Sequence, residues 1–196
     1  MMHIARRTLL AAAAALAFGA PVAAPVSAAE MGEDGLHKAP WMKVTFKDMA
    51  EDLATAREEG KRLLIIWEQR GCIYCRKMHE EVFPDPAIAA LLSEKYYVIQ
   101  MNLFGDEEVT DFDGESLPEK EIARRWGVVF TPTMMFLPEE AGEDEIAGRA
   151  AVAIMPGAFG KGTTRDLLTW VLEKGYAGDE HFQKYHARKI AERRGG

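Results

Sequence analysis

Apolar and polar positions alternate along this chain with two distinct periods, and the places where the period changes outline its elements. Phe46, Met49, Ala50, Leu53 and Ala56 keep helical spacing until Gly60, and Thr45 with Asp48 three residues on has capping-box character. Leu63 to Trp67 is an unbroken apolar run, the pattern of a strand buried on both faces. The chain then turns amphipathic from Ile73 through Val82 and Phe83, where Pro84 and Pro86 break or kink the helix. Asp85 before Pro86 restarts it from Ala87 to Glu94.

Tyr96 to Leu103 reads as a second strand, and the acidic stretch Gly105 to Ser116, without periodicity, as a solvated loop. Pro118 opens a short helix through Trp126, capped by Gly127. In the run from Val128 to Leu137 only the second half is apolar enough for a central strand. A polar turn from Pro138 to Ala147 precedes a further strand, Arg149 to Met155. After a loop from Gly157 to Gly162, Thr163 or Thr164 caps a helix running to about Lys174. A last helix, Asp179 to Arg193, carries Phe182, Tyr185, Ala187 and Ile190 on one side. The order is α-β-α-β-α-β-β-α with a helical tail, an α/β arrangement. Residues 30–44 read as a polar lead-in, with Trp41 either tucked against the domain or exposed.

Residues 1–29 have a different character. Arg6 and Arg7 precede an apolar stretch from Leu9 to Phe18, and small residues lead to Val26-Ser27-Ala28-Ala29. This is the layout of a secretory signal cleaved after Ala28 or Ala29. The apolar run is too short for a membrane anchor, which takes about 20 residues. Arg6-Arg7 before Thr8-Leu9-Leu10 fits the twin-arginine route and the general Sec route equally well. Export places the mature chain in the periplasm, with about one domain's worth of residues remaining. The formal charge of −7 argues against nucleic acid and anionic membranes as partners.

The chemistry concentrates on the chain's 2 cysteines, Cys72 and Cys75, which directly follow the buried strand. A helix start places Cys72 near unpaired backbone N–H groups, which favour thiolate over thiol. Cys75, one turn on, can attack a mixed disulfide and release the partner. A purely structural bridge is the weaker reading, because so short a loop constrains the unfolded chain little. Zinc needs about four ligands, whereas Cys72, Cys75 and His79 offer three on one short helix with no second cluster. Haem attachment requires histidine after the second cysteine, and Arg76 stands there. No metal and no cofactor are expected.

A strand, a Cys-x-x-Cys opening a kinked helix, and Thr131-Pro132-Thr133 about sixty residues later together resemble the thioredoxin fold over roughly residues 45–175. The expected architecture is a central mixed β-sheet flanked by helices, with residues 176–196 as an added helical tail. Glu81-Val82-Phe83-Pro84-Asp85-Pro86-Ala87-Ile88 with Leu91-Leu92 and the strand near Val98 looks like the exported thioredoxin-related branch. The run Trp67-Glu68-Gln69-Arg70-Gly71-Cys72-Ile73-Tyr74-Cys75-Arg76-Lys77-Met78-His79-Glu80-Glu81 is similar to the periplasmic thioredoxin of bacterial sulfur-oxidation (Sox) gene clusters, and the tail with Phe182, Gln183 and Tyr185 fits that group too.

The resemblance implies that Cys72 attacks, that Cys75 resolves, and that the two form the disulfide of the oxidised state. It implies a cis-proline at Pro132, beside which Thr131 offers its backbone to an extended partner. Trp67, Ile73 and Tyr74 are assigned to the same partner-binding surface. Typical members read Trp-Cys-Gly-Pro-Cys and keep a buried acid six residues before the first cysteine. Here those positions hold Gly71, Ile73-Tyr74 and Ile66. Glu68, two residues further along the strand, either substitutes as proton acceptor for Cys75 or lies solvated at the strand end. His79 reads as a surface helix residue, Met101, Met134 and Met135 as core filling, and the Arg188 to Arg194 cluster as a complement to a helix C-terminus.

The function implied is a periplasmic thiol–disulfide oxidoreductase working as a reductant and as a monomer. Its clients would be exported proteins, including sulfur-carrier proteins of thiosulfate oxidation. Its electrons would come from a membrane thiol transporter of the CcdA type. Two alternatives stand beside it. A disulfide oxidase or isomerase usually carries a large helical insertion or a dimerisation domain, for which there is little room. A non-catalytic binding protein on the same scaffold would need neither cysteine nor Pro132.

Overall fold

The computed structural model describes residues 29–142 and 144–195; the expected signal segment, apart from its last residue Ala29, lies outside them. Its centre is a five-stranded mixed sheet built around the apolar run. Strand β4 (Arg62–Glu68) is buried along its whole length and pairs in parallel with β5 (Tyr96–Asn102). On its other side it pairs antiparallel with β8 (Thr133–Phe136), which pairs in turn with β9 (Ala153–Pro156). The far edge is β3 (Met42–Lys43), parallel to β5, so the sheet order is β3-β5-β4-β8-β9. The stretch 30–44 is therefore more than a lead-in. It also forms a small hairpin, β1 (Glu30–Met31) with β2 (His37–Lys38), and this is held to the sheet where the Gln100 side chain donates to the His37 carbonyl at 2.6 Å.

Because side chains alternate along a strand, β4 feeds two cores. Leu63, Ile65 and Trp67 pack on one face with helix α1 (Met49–Glu58) and helix α4 (Glu119–Arg125). Leu64 and Ile66 pack on the other with Met78, Val82, helix α3 (Pro86–Lys95) and helix α6 (Lys161–Leu172). Each such side chain contributes roughly 1.5–3 kcal/mol by leaving water. The buried methionines Met101, Met134 and Met135 fill these layers.

Local chemistry sets the helix ends. Asp48 caps α1, accepting from the amides of Ala50 and Glu51 at 3.0 Å, so the cap is Asp48 itself and not a Thr45 box. Phe46, expected on the helix face, precedes the helix and is exposed. Asp85 caps α3 with Pro86 in its first turn, as the spacing predicts. Before it, helix α2 (Ile73–Lys77) widens into a π turn over Met78–Val82, closed by the Phe83 amide donating to the Met78 carbonyl, and the kink falls just ahead of Pro84.

Several expectations change. The acidic stretch 105–116 is no plain solvated loop: it contributes to a hairpin of β6 (Glu108–Thr110) and β7 (Ser116–Pro118), and Val109, Asp111 and Phe112 are buried. The Asp111 carboxylate accepts from Trp126 Nε1 and from the Ala147 amide, which offsets its burial. Residues 147–150 form one helical turn, α5 (Ala147–Ala150), before β9. Helix α6 starts after Gly160, three to four residues earlier than a Thr163 or Thr164 cap predicts. Helix α7 (Phe182–Gly195) docks through Tyr185, Phe182 and His186, while Ala187 is exposed. Arg188 pairs with Glu180 and Glu192, and Arg193 with Asp166, so these arginines serve side chains and not helix carbonyls. No described helix is long and apolar enough to cross a membrane.

Candidate functional site

The two cysteines are joined and sit where β4 gives way to α2. Gly71, at φ 72°, makes the turn between them, a backbone region where a side chain costs about 1–2 kcal/mol. Cys72 is the N-cap of α2, and its Sγ accepts from the Cys75 amide at 3.0 Å. It reaches the surface with 9% exposure, whereas Cys75 has 0%. This is the asymmetry a two-step exchange requires: one sulfur reachable by a partner, the other reachable only through the first.

The loop before β8 closes the site from the other side. The Thr131–Pro132 peptide is cis, and the Thr131 hydroxyl donates to Cys72 Sγ at 3.4 Å. Thr131 forms no backbone–backbone hydrogen bond among the described residues. Its neighbours are held: the Pro132 carbonyl accepts from the Gly157 amide at 2.7 Å, and the Phe130 carbonyl from Thr133 Oγ1 at 2.8 Å. Thr131 thus presents free main-chain groups from a rigid support, next to the reachable sulfur.

Ile73 and Tyr74 are exposed beside the disulfide, where partner contact was expected. Val129 and Phe130, which lead into the Thr131 loop, are exposed as well and extend this apolar rim. They lie in the first half of the Val128–Leu137 run, which carries no strand pattern and no chemical motif to mark them in the sequence. Trp67 does not belong to the rim. It is wholly buried on the opposite side of β4, edge-on to Trp126, with Nε1 donating to Met135 Sδ at 3.2 Å.

The largest departures concern Glu68 and His79. Glu68 is not solvated at the strand end: it is buried, and both its oxygens face imidazoles. His37 Nδ1 lies 3.4 Å from Oε2 and His79 Nε2 lies 2.5 Å from Oε1. No hydrogen bond joins Glu68 to either cysteine, so the expected proton-acceptor role has no contact behind it among the described residues. Burial pushes its carboxyl up, but the hydrogen bonds from His37 and His79 outweigh this and hold it below the usual carboxylate range. His79, expected on the surface, is buried and stacked between His37 and Trp41, with Phe83 edge-on. Trp41 is thereby tucked against the domain. No periodicity could connect His37, Glu68 and His79, since a hairpin, a strand and a helix bring them together.

Comparison with known proteins agrees with this architecture. A thioredoxin from Thermus thermophilus is 27% identical, with a TM-score of 0.50, over 65% of this chain and 86% of that one. A thioredoxin-fold protein from Helicobacter pylori is 16% identical, with a TM-score of 0.49, over 67% of this chain and 81% of that one. The C-terminal domain of DsbD from Neisseria meningitidis, in its reduced form, is 11% identical, with a TM-score of 0.43, over 61% and 90%. Among curated proteins none matches the chain. The family model described as a thioredoxin-like domain matches residues 49–155, more than half of the sequence and the whole span from α1 through the cysteines and Pro132 to β9. This chain belongs to the thioredoxin-like domain family.

Proposed function

We propose that this protein is a thiol–disulfide oxidoreductase that reduces disulfides of exported proteins in the periplasm, as a monomer. In the reduced state the Cys72 thiolate attacks one sulfur of a client disulfide. A Cys72–client bond forms, and the other client sulfur leaves as thiolate. Cys75 then attacks Cys72 Sγ, closing the Cys72–Cys75 bond and expelling the second client thiolate. The client gains two electrons and the pair loses two. The Thr131 hydroxyl and the Cys75 amide steady the Cys72 thiolate, while an extended client segment pairs with the Thr131 backbone and lies on Ile73, Tyr74, Val129 and Phe130.

The single observation that carries this reading is the reachable Cys72 beside the unpaired Thr131 backbone, with Cys75 buried behind it. The periplasmic setting rests on the signal-like residues 1–29. Outside the cytoplasm the pair needs an electron source, for which a membrane thiol transporter of the CcdA type is the proposed donor. Sulfur-carrier proteins of thiosulfate oxidation are the proposed clients, on the strength of the motif around Cys72. A helical insertion of the kind oxidases carry is absent from the described residues between β5 and β8, where only the β6–β7 hairpin and α4 occur. Cys75→Ser should trap mixed disulfides with exported proteins through Cys72, and Cys72→Ser should trap none. Recovery of no Cys72-linked partner from Cys75→Ser would sink the proposal.

A further inference from the structure

Behind the redox helix, His37, Glu68 and His79 bring three potential ligand atoms within 4.8 Å of one another, all in buried side chains. We propose that these three residues bind one divalent transition-metal ion of the zinc class, independently of the two cysteines.

The donor set argues for that class. Two imidazoles and one carboxylate suit zinc, cobalt, nickel or copper, whereas calcium and magnesium prefer oxygen ligands throughout. Three protein ligands leave one position of a tetrahedral ion for a water. The separation of His37 Nδ1 from Glu68 Oε2, 3.4 Å, is long for a charge-assisted hydrogen bond. It matches the ~3.4 Å between neighbouring ligands of a tetrahedral ion bound at ~2.1 Å. The shorter His79 contact, 2.5 Å, opens when the ion replaces the shared proton. That proton passes to the other ring nitrogen or to solvent, and neutral imidazole binds through its lone pair.

Charge points the same way. Among the described residues Glu68 pairs with no lysine or arginine, only with the two histidines. With both rings neutral the group carries one buried negative charge, which a divalent ion compensates. The ligands also stand on firm supports. Glu68 ends the central strand, the His37 backbone is pinned by Gln100, and His79 is held between rings. Residues 37, 68 and 79 follow no spacing rule, which explains why no metal is expected from the sequence.

The test uses the full chain with its disulfide closed, so that no thiolate can bind metal. After chelator treatment, zinc is titrated calorimetrically and cobalt by visible absorption. The expected result is one ion per chain, with ligand-field bands of nitrogen and oxygen coordination and no thiolate charge-transfer band. Binding persists in the Cys72→Ser, Cys75→Ser double variant. It weakens at least about 100-fold in His79→Gln and in His37→Gln, which lies on the small hairpin and leaves the helix intact. His186→Gln, at the Asp166 pair on α7, binds as wild type. Zinc raises the melting temperature of the wild type and leaves that of His37→Gln unchanged. Failure of the closed-disulfide protein to bind one ion overturns the proposal, as does binding unchanged in His37→Gln or lost with the cysteines.

Discussion

At the scale of single residues, the polar atoms around Cys72 decide how readily its sulfur ionises. Thr131 Oγ1 donates to it from the loop and the Cys75 amide donates from the helix. A donor to the thiolate favours the charged form, so Thr131→Val should leave less thiolate at a given pH and move alkylation of reduced Cys72 to higher pH. The pH dependence of alkylation in the reduced protein measures this, and an unchanged profile would remove the hydroxyl from the account. Asp52 shows the opposite pressure. Burial pushes its carboxyl up to about 6 against the hydrogen bond from Thr45, with the charges of Asp48 and Glu51 adding to the rise. The folded state therefore holds this proton more tightly than the unfolded one, and stability falls as pH rises from about 4 to about 6. Asp52→Asn keeps the Thr45 contact without the charge. It should raise the melting temperature by about 2–4 °C at pH 7.5 and leave it nearly unchanged at pH 4.

Elements differ in how securely they are held. The central strands are tied by ladders and by two cores, whereas α7 is held at two carboxylates, Asp166 and Glu173, and one aromatic cluster. Asp166 accepts from His186 Nδ1 at 2.6 Å and from both Arg193 amino groups at 2.8 and 2.9 Å. Phe182 packs on Trp170, and Tyr185 donates to Glu173. Burial pushes Asp166 up, but the hydrogen bonds from Arg193 and His186 outweigh it, so its folded value lies below the ordinary 3.8. Its contribution is complete above that value and disappears as the pH falls through the folded one. Hydrogen exchange, corrected for intrinsic rates, should show α7 losing protection in acid before the sheet does, and Asp166→Asn should expose it already at pH 7. Equal protection of α7 and β4 in both conditions would contradict this.

For the molecule as a whole, what could be read from the sequence tracks how local the cause is. Leu63–Trp67, the Asp85-Pro86 start and the Cys72/Cys75 pair carry their signals in adjacent residues, and the structure has a strand, a helix cap and a disulfide there. The burial of Glu68 and His79 could not be read that way, because the hydrogen-bonding partner of each arrives from a distant element. The same holds for Asp111, whose polarity suggested solvent until Trp126 and Ala147 supplied its hydrogen bonds. Trp67 departs from the expected partner surface for a simpler reason: the alternation of β4 turns it away from the cysteines, into the opposite core. The redox pair, the Thr131 loop and the apolar rim nonetheless form one surface, and the central claim is that this surface donates electrons. Equilibrating the Cys72–Cys75 pair against glutathione or dithiothreitol buffers measures that directly. A reduction potential near or below about −220 mV is the predicted result, and a value above about −150 mV would contradict a reductant.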